Sequence, residues 1–288
     1  MVMRQLLYIL TFFLIGYQLC AQRRIMPDFV NLSHFDNVTT VDSGNVRLLY
    51  AINAENINDT KTYDDLHRLD IGTKMSKYYS FYIYNSDSLR NDFRKKNLNL
   101  QSIERWMGEH GKKSTTWDWL NESVLFKDFS KNVLTVYMRM PFSITPCQYT
   151  EETPMQEWEL HDDTLTVCGN LCQKATCKFR GRDFVAWFAI EIPVSNGPWK
   201  FGGLPGLILK VYDLEKLYDF ECVKIDYYSD KYPIIMFDDK RFQKTERKKT
   251  DKLVKDLYAD YFSVIGAKSA DGTPIKPTSI PYHPLELE

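Results

Sequence analysis

The sequence predicts a mainly β protein: an antiparallel meander forming a strongly curved sheet or partial barrel, with a few helices and an extended Pro-rich C-terminal tail. Three observations carry that reading. Aromatic residues make up 14% of the chain, with 18 Tyr and 17 Phe, and such side chains favour pleated, half-buried surfaces over helical bundles. Short alternating apolar and polar runs recur along the chain, separated by turn-forming Gly, Asn and Asp. The last 20 residues hold four prolines and no periodicity. The expected division is a signal peptide over 1–21, an irregular arm over 22–44, one β-rich domain over 45–268 and the tail over 269–288.

Arg4, the apolar run Leu6 to Gly16 and Ala21 before Gln22 have the order of a secretory signal peptide. The run is shorter than the roughly 20 residues that span a bilayer. Leu19 is too large for lipid attachment at Cys20. No later segment is apolar enough to cross a membrane, so the mature chain is expected without a transmembrane segment. The expected location is therefore the periplasm, the outer membrane or the cell surface. The formal net charge of −1 supplies no field for nucleic acid, so none is expected as a partner.

"NVRLLYAIN" alternates as a half-buried strand, and "KMSKYYSFYIYN" reads as a second, aromatic one. "DSLRNDFRKKNLNLQSIERWMGEHG" is charged and unbranched, which predicts one or two short helices ending at Gly111. "VLFKDFSKNVLTVYMRM" predicts a hairpin turning at Ser130-Lys131-Asn132. "MQEWELHDDTLTVCG" gives two short strands around a solvated turn at Asp162-Asp163. In "CQKATCKFRGRDFVAWFAIEIP" a type II′ turn at Gly181-Arg182 puts Arg180 opposite Asp183 and Phe179 opposite Phe184. One face then carries Cys177, Ala175, Ala186 and Phe188, and the other Lys178, Thr176, Lys174, Val185 and Trp187. "LILKVYDLEKLYDFECVKIDYY" makes another hairpin. "KRFQKTERKKTDKLVKDLYADYFSVIG" is a basic amphipathic helix with Leu253, Leu257, Tyr261 and Ile265 on one stripe, flanked by Val254, Tyr258 and Phe262.

The chemistry-bearing residues gather around "GPWKFGGLPGLILKVYD", read from Gly197. Lys200 precedes Gly202-Gly203 and a strand follows, whereas a phosphate loop needs lysine at the start of a helix. Pro205-Gly206 instead suits the central positions of a type II turn. Gly202-Gly203 suit a sharp bend or a close approach, and Trp199 and Phe201 a packed underside, in a corner joining two sheets. Arg180, Arg182, Lys178 and Lys200 read as solvated charge around a hairpin tip, with an anion-holding patch as the rival.

No HExxH, GxSxG or helix-opening GxGxxG occurs, so no catalytic residue and no cofactor is assigned. His161 and Cys172 lack a third group to orient them. Beyond Cys20 five cysteines remain, Cys147, Cys168, Cys172, Cys177 and Cys222. An oxidising compartment makes them candidates for at most two disulfides of open connectivity. His161, Cys168, Cys172 and Cys177 lack the CxxC spacing of zinc modules, so no metal is assigned.

The run from Cys172 to Asp213 closely resembles the signature of the GLPGLI family of Bacteroidota, named for the six residues Gly203 to Ile208. "HRLDIGTKMSKYYSFYIYNSDSL", "MQEWEL" and "YHPLELE" are similar to further family segments, so the resemblance spans nearly the whole mature chain. It implies an exported, β-rich protein without an established activity. Its signature falls on Arg180, Arg182, Trp187, Trp199, Gly203, Leu204, Pro205 and Gly206, which with Lys200 are the candidate binding residues. Cys168 and Cys177 stand outside that pattern. The expected role is binding a small ligand or an outer-membrane or envelope protein without catalysis. A hydrolase built around Arg180, Arg182 and the 197–208 loop is the alternative, and a purely structural module the second.

Overall fold

The computed structural model describes residues 35, 38–96, 118–141, 144–277 and 279–288. The expected signal peptide lies outside them, as do most of the expected arm and the helical region beyond residue 96.

Twelve strands form one sheet. They are β1 (Val38–Ile52), β2 (Asp65–Gly72), β3 (Met75–Ser80), β4 (Ser123–Asp128), β5 (Val133–Met138), β6 (Cys147–Glu152), β7 (Glu159–Val167), β8 (Asn170–Phe179), β9 (Arg182–Ala189), β10 (Leu207–Asp213), β11 (Asp219–Phe237) and β12 (Gln243–Lys244). Two α-helices occur among the described residues, α1 (Phe81–Lys95) and α2 (Arg247–Val264). The spatial order is β12-β6-β5-β4-β3-β2-β1-β11-β10-β9-β8-β7. All neighbours are antiparallel except β12 and β6.

That order forces the sheet to curl. β6 and β7 are separated by ten strand steps, which laid flat would span ~48 Å at about 4.8 Å per step. Residues 153–158 alone join them, and so short a link reaches about 25 Å when fully extended. The two ends of the sheet must therefore approach each other, yet they do not pair, so the barrel stays open.

The concave interior holds the main core. Leu48, Tyr50, Leu69, Tyr78, Leu125, Val136, Phe184, Phe188, Phe201, Leu209 and Phe220 pack there with Val254, Leu257 and Tyr258 of α2 and Leu285 of the tail. Alternation along the strands builds a second cluster on the opposite face of β3 to β5. Tyr79, Val124, Phe126 and Tyr137 meet Ile234, Phe237 and Phe242 there. The paired ends of β1 and β11, Val38 to Gly44 against Tyr232 to Phe237, form the ribbon that covers this face.

Several expectations shift. The first strand starts at Val38, inside the expected arm. The aromatic strand stops at Ser80, and "FYIYN" opens α1 instead. Ser80 Oγ accepts from the amide of Ile83 at 3.2 Å, the bond an N-cap makes, and it overrides the strand preference of the aromatics. "MQEWELHDDTLTVCG" gives the single strand β7 with a bulge between Leu160 and Thr164, where Asp162 and Asp163 are exposed. As the outermost strand at its end of the sheet, β7 carries acidic residues and a bulge, both of which discourage edge-to-edge pairing.

The β8–β9 hairpin keeps the expected faces but turns one residue earlier. Phe179 lies opposite Arg182, Cys177 opposite Phe184 and Ala175 opposite Ala186. The turn residues are Arg180 (φ 45°) and Gly181 (φ 82°), both left-handed, so it is a type I′ turn and not type II′. The glycine corner also differs. It links neighbouring strands of one sheet, not two sheets. Positive φ belongs to Gly203 (83°) and Trp199 (50°), while Gly206 is not in that region, so Pro205-Gly206 is not a type II turn. Gly206 serves close approach, because a Cβ there would stand 2.2 Å from the carbonyl oxygen of Ala189. The amphipathic helix begins at Arg247, after a short 3-10 turn at Asp239–Arg241, and buries Val254, Leu257, Tyr258 and Tyr261, with Leu253 and Ile265 of the expected stripe half-buried.

Candidate functional site

The segment Ile190 to Gly206 leaves β9, fills the concave face and returns as β10. Phe201 stands at its centre, fully buried, with the rings of Phe184 and Phe179 at 4.8 and 6.0 Å. Trp199 stacks edge-on against Trp119 at 5.5 Å. Polar groups pin the backbone around these rings. Trp158 Nε1 donates to Gly202 O at 2.8 Å, and Gln156 Oε1 accepts from Gly202 N at 3.0 Å. Lys127 reaches in from β4, donating to Asn196 Oδ1 at 2.9 Å and to Phe201 O at 2.6 Å. Burial pushes the Lys127 amine down to about 7, while its set of carbonyl acceptors matches the donors of an ammonium.

The cations at the hairpin tip are neither solvated nor an open anion site. With the turn one residue earlier, Arg182 belongs to β9 and points to the core face, 6% exposed. Its Nε and Nη2 donate to Pro284 O at 3.0 and 2.8 Å, and its Nη1 lies 3.3 Å from Asp213 Oδ2 and 2.5 Å from Glu215 Oε2. Lys200 is 1% exposed, with Nζ 2.7 Å from Glu151 Oε1 and 2.6 Å from Glu286 Oε1. Arg180 bridges the same two carboxylates, at 2.8 Å from Glu151 Oε2 and in contact with Glu286 Oε2. Arg247 of α2 joins them, 3.3 Å from Glu286 Oε2 and 3.2 Å from Asp251 Oδ2. Only Lys178 of the expected patch is exposed.

The carboxyl groups show the field that results. Burial alone would raise Glu151, but Lys200 and Arg180 more than offset it and hold it below its ordinary value. Asp251 is pushed up to about 6 by burial and by Glu286, against the opposing pull of Arg247.

The tail is thus a docked strap. Ile280 N donates to Tyr258 O at 2.8 Å, and Tyr282 packs its ring 4.9 Å from that of Tyr258. The Tyr218 hydroxyl donates to His283 O. Leu285 is buried in the main core, and Leu287 N donates to Arg180 O at 2.9 Å. A Cβ on Gly181 would stand 2.9 Å from Leu287 Cβ, so the turn glycine also makes room for the strap.

Of the candidate residues, Arg180, Arg182 and Lys200 converge on this strap, while Trp199, Gly203, Leu204, Pro205 and Gly206 belong to the segment beneath. Leu204 is buried there. Trp187 stands apart on the other face of β9, opposite Lys174 and Lys210. His161 and Cys172 do not form a pair: His161 bonds to Thr176 Oγ1 at 2.7 Å, and Cys172 Sγ donates to Asn170 O at 3.6 Å. All five described cysteines are free thiols. Sequence reasoning missed Lys127, Glu151, Asp213 and Glu286. For Lys127 a signal existed, since alternation in "SVLFKD" puts it on the same strand face as the core residue Leu125.

A separate groove of about 630 Å³ lies where the β1–β11 ribbon crosses β3 to β6. Val41, Met75, Thr135, Tyr137 and Met236 give it apolar walls, and Lys74, Lys131, Asp128 and Asp239 bring charge of both signs.

Fold and site together define an open, curled antiparallel sheet whose C-terminal strap is clasped by four cations, Arg180, Lys200 and Arg247 on Glu286 and Arg182 on Pro284 O. Residues 179–210, from the hairpin tip to β10, match a family described as a protein of unknown function (Porph_ging). No curated protein matches the chain. Among solved structures, those titled "Structure of PNGF-II in P21 space group" and "Structure of PNGF-II in C2 space group" are similar at 13% and 12% identity, with TM-scores of 0.47 and 0.44. The match covers 75% of this chain and 34% of each of theirs, so this chain spans about a third of their length. No helix among the described residues is long and apolar enough to cross a membrane.

Proposed function

We propose that the protein is an exported, GLPGLI-type envelope protein that acts by binding, without catalysis. Its signature segment is the clasp that completes the fold, and the groove beneath the β1–β11 ribbon is the binding site. One observation carries this reading: Arg180, Arg182 and Lys200 are committed to carboxylates and carbonyls of their own chain. A hydrolase centred on those residues would need them turned to a substrate. The apolar walls and mixed charges of the groove suit an elongated amphipathic ligand, either a small molecule or a segment of an envelope partner.

Native mass spectrometry of protein purified from its own envelope tests this. A bound ligand or partner is expected. Thr135→Trp, which fills the groove from the half-buried face of β5, is expected to abolish its retention with little change in melting temperature. A bare monomer, or retention unaffected by Thr135→Trp, would overturn the assignment.

A further inference from the structure

Cys168 holds the first position of the two-residue turn joining β7 to β8, with Val167 opposite Asn170. Both turn residues have positive φ, 48° at Cys168 and 78° at Gly169. Asn, Asp or Gly are the residues such a turn favours, so nothing in the local backbone asks for cysteine there. Cys222 is buried on β11, opposite Tyr50 and beside a bulge in the β1–β11 ladder. In the order of the sheet β10, β9 and β8 lie between these two strands, yet the curl brings β7 directly against β11. There the Cys168 and Cys222 side chains come within reach of each other, while Cys222 Sγ also donates to Lys224 O of its own strand at 3.4 Å. The other cysteines are engaged elsewhere. Cys172 Sγ donates to Asn170 O, and Cys147 Sγ lies 3.9 Å from Thr250 Oγ1. Cys177 faces Phe184 across the hairpin.

We propose that Cys168 and Cys222 are joined as a disulfide by exchange with an oxidised dithiol, and that this bond ties the tip of the β7–β8 hairpin to β11. The Cys168 thiolate attacks one sulfur of the donor disulfide and expels the other sulfur as a thiolate. Cys222, giving up its proton, then attacks Cys168 Sγ and releases the second donor thiolate. The protein loses two electrons and two protons, and the donor disulfide gains them. Cys168 is the attacking group because it is exposed. Its thiol is lowered to about 7, chiefly by the Cys222 side chain. Burial pushes Cys147 and Cys172 up to about 11 and Cys177 up to about 12. The bond goes beyond the binding role and does not depend on it.

The test uses the full chain, reduced, desalted and exposed to oxidised glutathione, then blocked with N-ethylmaleimide and mapped without reduction. The expected map shows one cross-linked pair, Cys168 with Cys222, and blocked thiols at Cys147, Cys172 and Cys177. Reduction is expected to lower the melting temperature by roughly 5–15 °C, given the length of loop closed, and Cys168→Ser is expected to remove that difference. Five blocked thiols, or a link from Cys168 to any other cysteine, would overturn the pairing. Should Cys168→Ser fail to fold, the map of the unaltered chain still decides. On the reduced native protein iodoacetamide is expected to modify Cys168 at least tenfold faster than Cys222, and the reverse order would overturn the assignment of the attacking thiol.

Discussion

Single atoms decide how the signature residues act. Gly206 has no room for a methyl group, with backbone atoms of Ala189 at 2.2 and 2.6 Å from its ideal Cβ, whereas at Gly202 the nearest atom is 3.6 Å away. Gly206→Ala is therefore expected to cost about 3 kcal/mol or more by displacing β9 from β10, and Gly202→Ala less than about 1 kcal/mol. Paired urea denaturations measure the contrast, and equal losses would count against close approach as the reason for Gly206. Arg182→Ala removes the cation beside Asp213, which is 1% exposed and keeps only the amide of Tyr218 on its other oxygen. Stranding a buried carboxylate costs about 3–5 kcal/mol, so calorimetry is expected to show a fall of roughly 10 °C in melting temperature. A variant that loses an activity at unchanged melting temperature would favour the hydrolase alternative.

Elements were legible where a period fixes them and obscure where a distant partner does. The two faces of the β8–β9 hairpin follow from strict alternation, because moving the turn by one residue leaves the same side chains on each face. The position of the turn was not legible. Gly-Arg suits type II′ and Arg-Gly suits type I′, and the deciding contact, Leu287 N to Arg180 O, comes from 107 residues further along the chain. The buried side of α2 is legible at Val254, Leu257, Tyr258 and Tyr261, while Leu253 and Ile265 of the expected stripe are only half-buried; the start of α1 is hidden by the aromatics of "FYIYN" and set by the hydroxyl of Ser80. The tail is expected to be extended, and its described residues after Pro274 form neither helix nor strand, but it starts with a tight turn that bridges Lys268 to Pro274. Its role as a strap was invisible, because "PLELE" gains meaning only beside Arg180, Lys200 and Arg247. Glu286→Ala leaves three cations sharing fewer acceptors, with Lys200 still buried, and is expected to cost about 3 kcal/mol. Limited proteolysis is expected to cut that variant first within residues 269–288. A wild-type cleavage pattern would mean that the strap is held by its other contacts, Leu285 and the bonds to His283, Pro284 and Leu287, without need of Glu286.

At the scale of the molecule, the covered face of β3 to β5 sets a pH response. Lys77 lies there among the rings of Tyr79, Phe126 and Phe237, and burial pushes its amine down to about 7. Its folded value is below that of the unfolded chain, so the unfolded state binds more protons between about pH 7 and 10.5. Stability is accordingly expected to rise with pH across that window and to be lost as pH falls toward 7, by an amount on the order of a few kcal/mol. Lys127 is lowered to about 7 by the same cause, so Lys77→Met is expected to make the profile of melting temperature between pH 7 and 9.5 shallower without flattening it, and an unchanged slope would assign the effect to other groups. The sheet order has a further consequence, for how the chain is made. β1 lies at the middle of the finished sheet, but its partner β11 begins only at Asp219. As the polypeptide emerges from its N-terminus, β1 can pair with β2 on one side while its other rim of amides and carbonyls waits for some 170 residues. For most of synthesis, then, the central strand is an unprotected edge. Folding dominated by so remote a pairing is slow, and a chain cut short before Asp219 would present that rim as a template for aggregation.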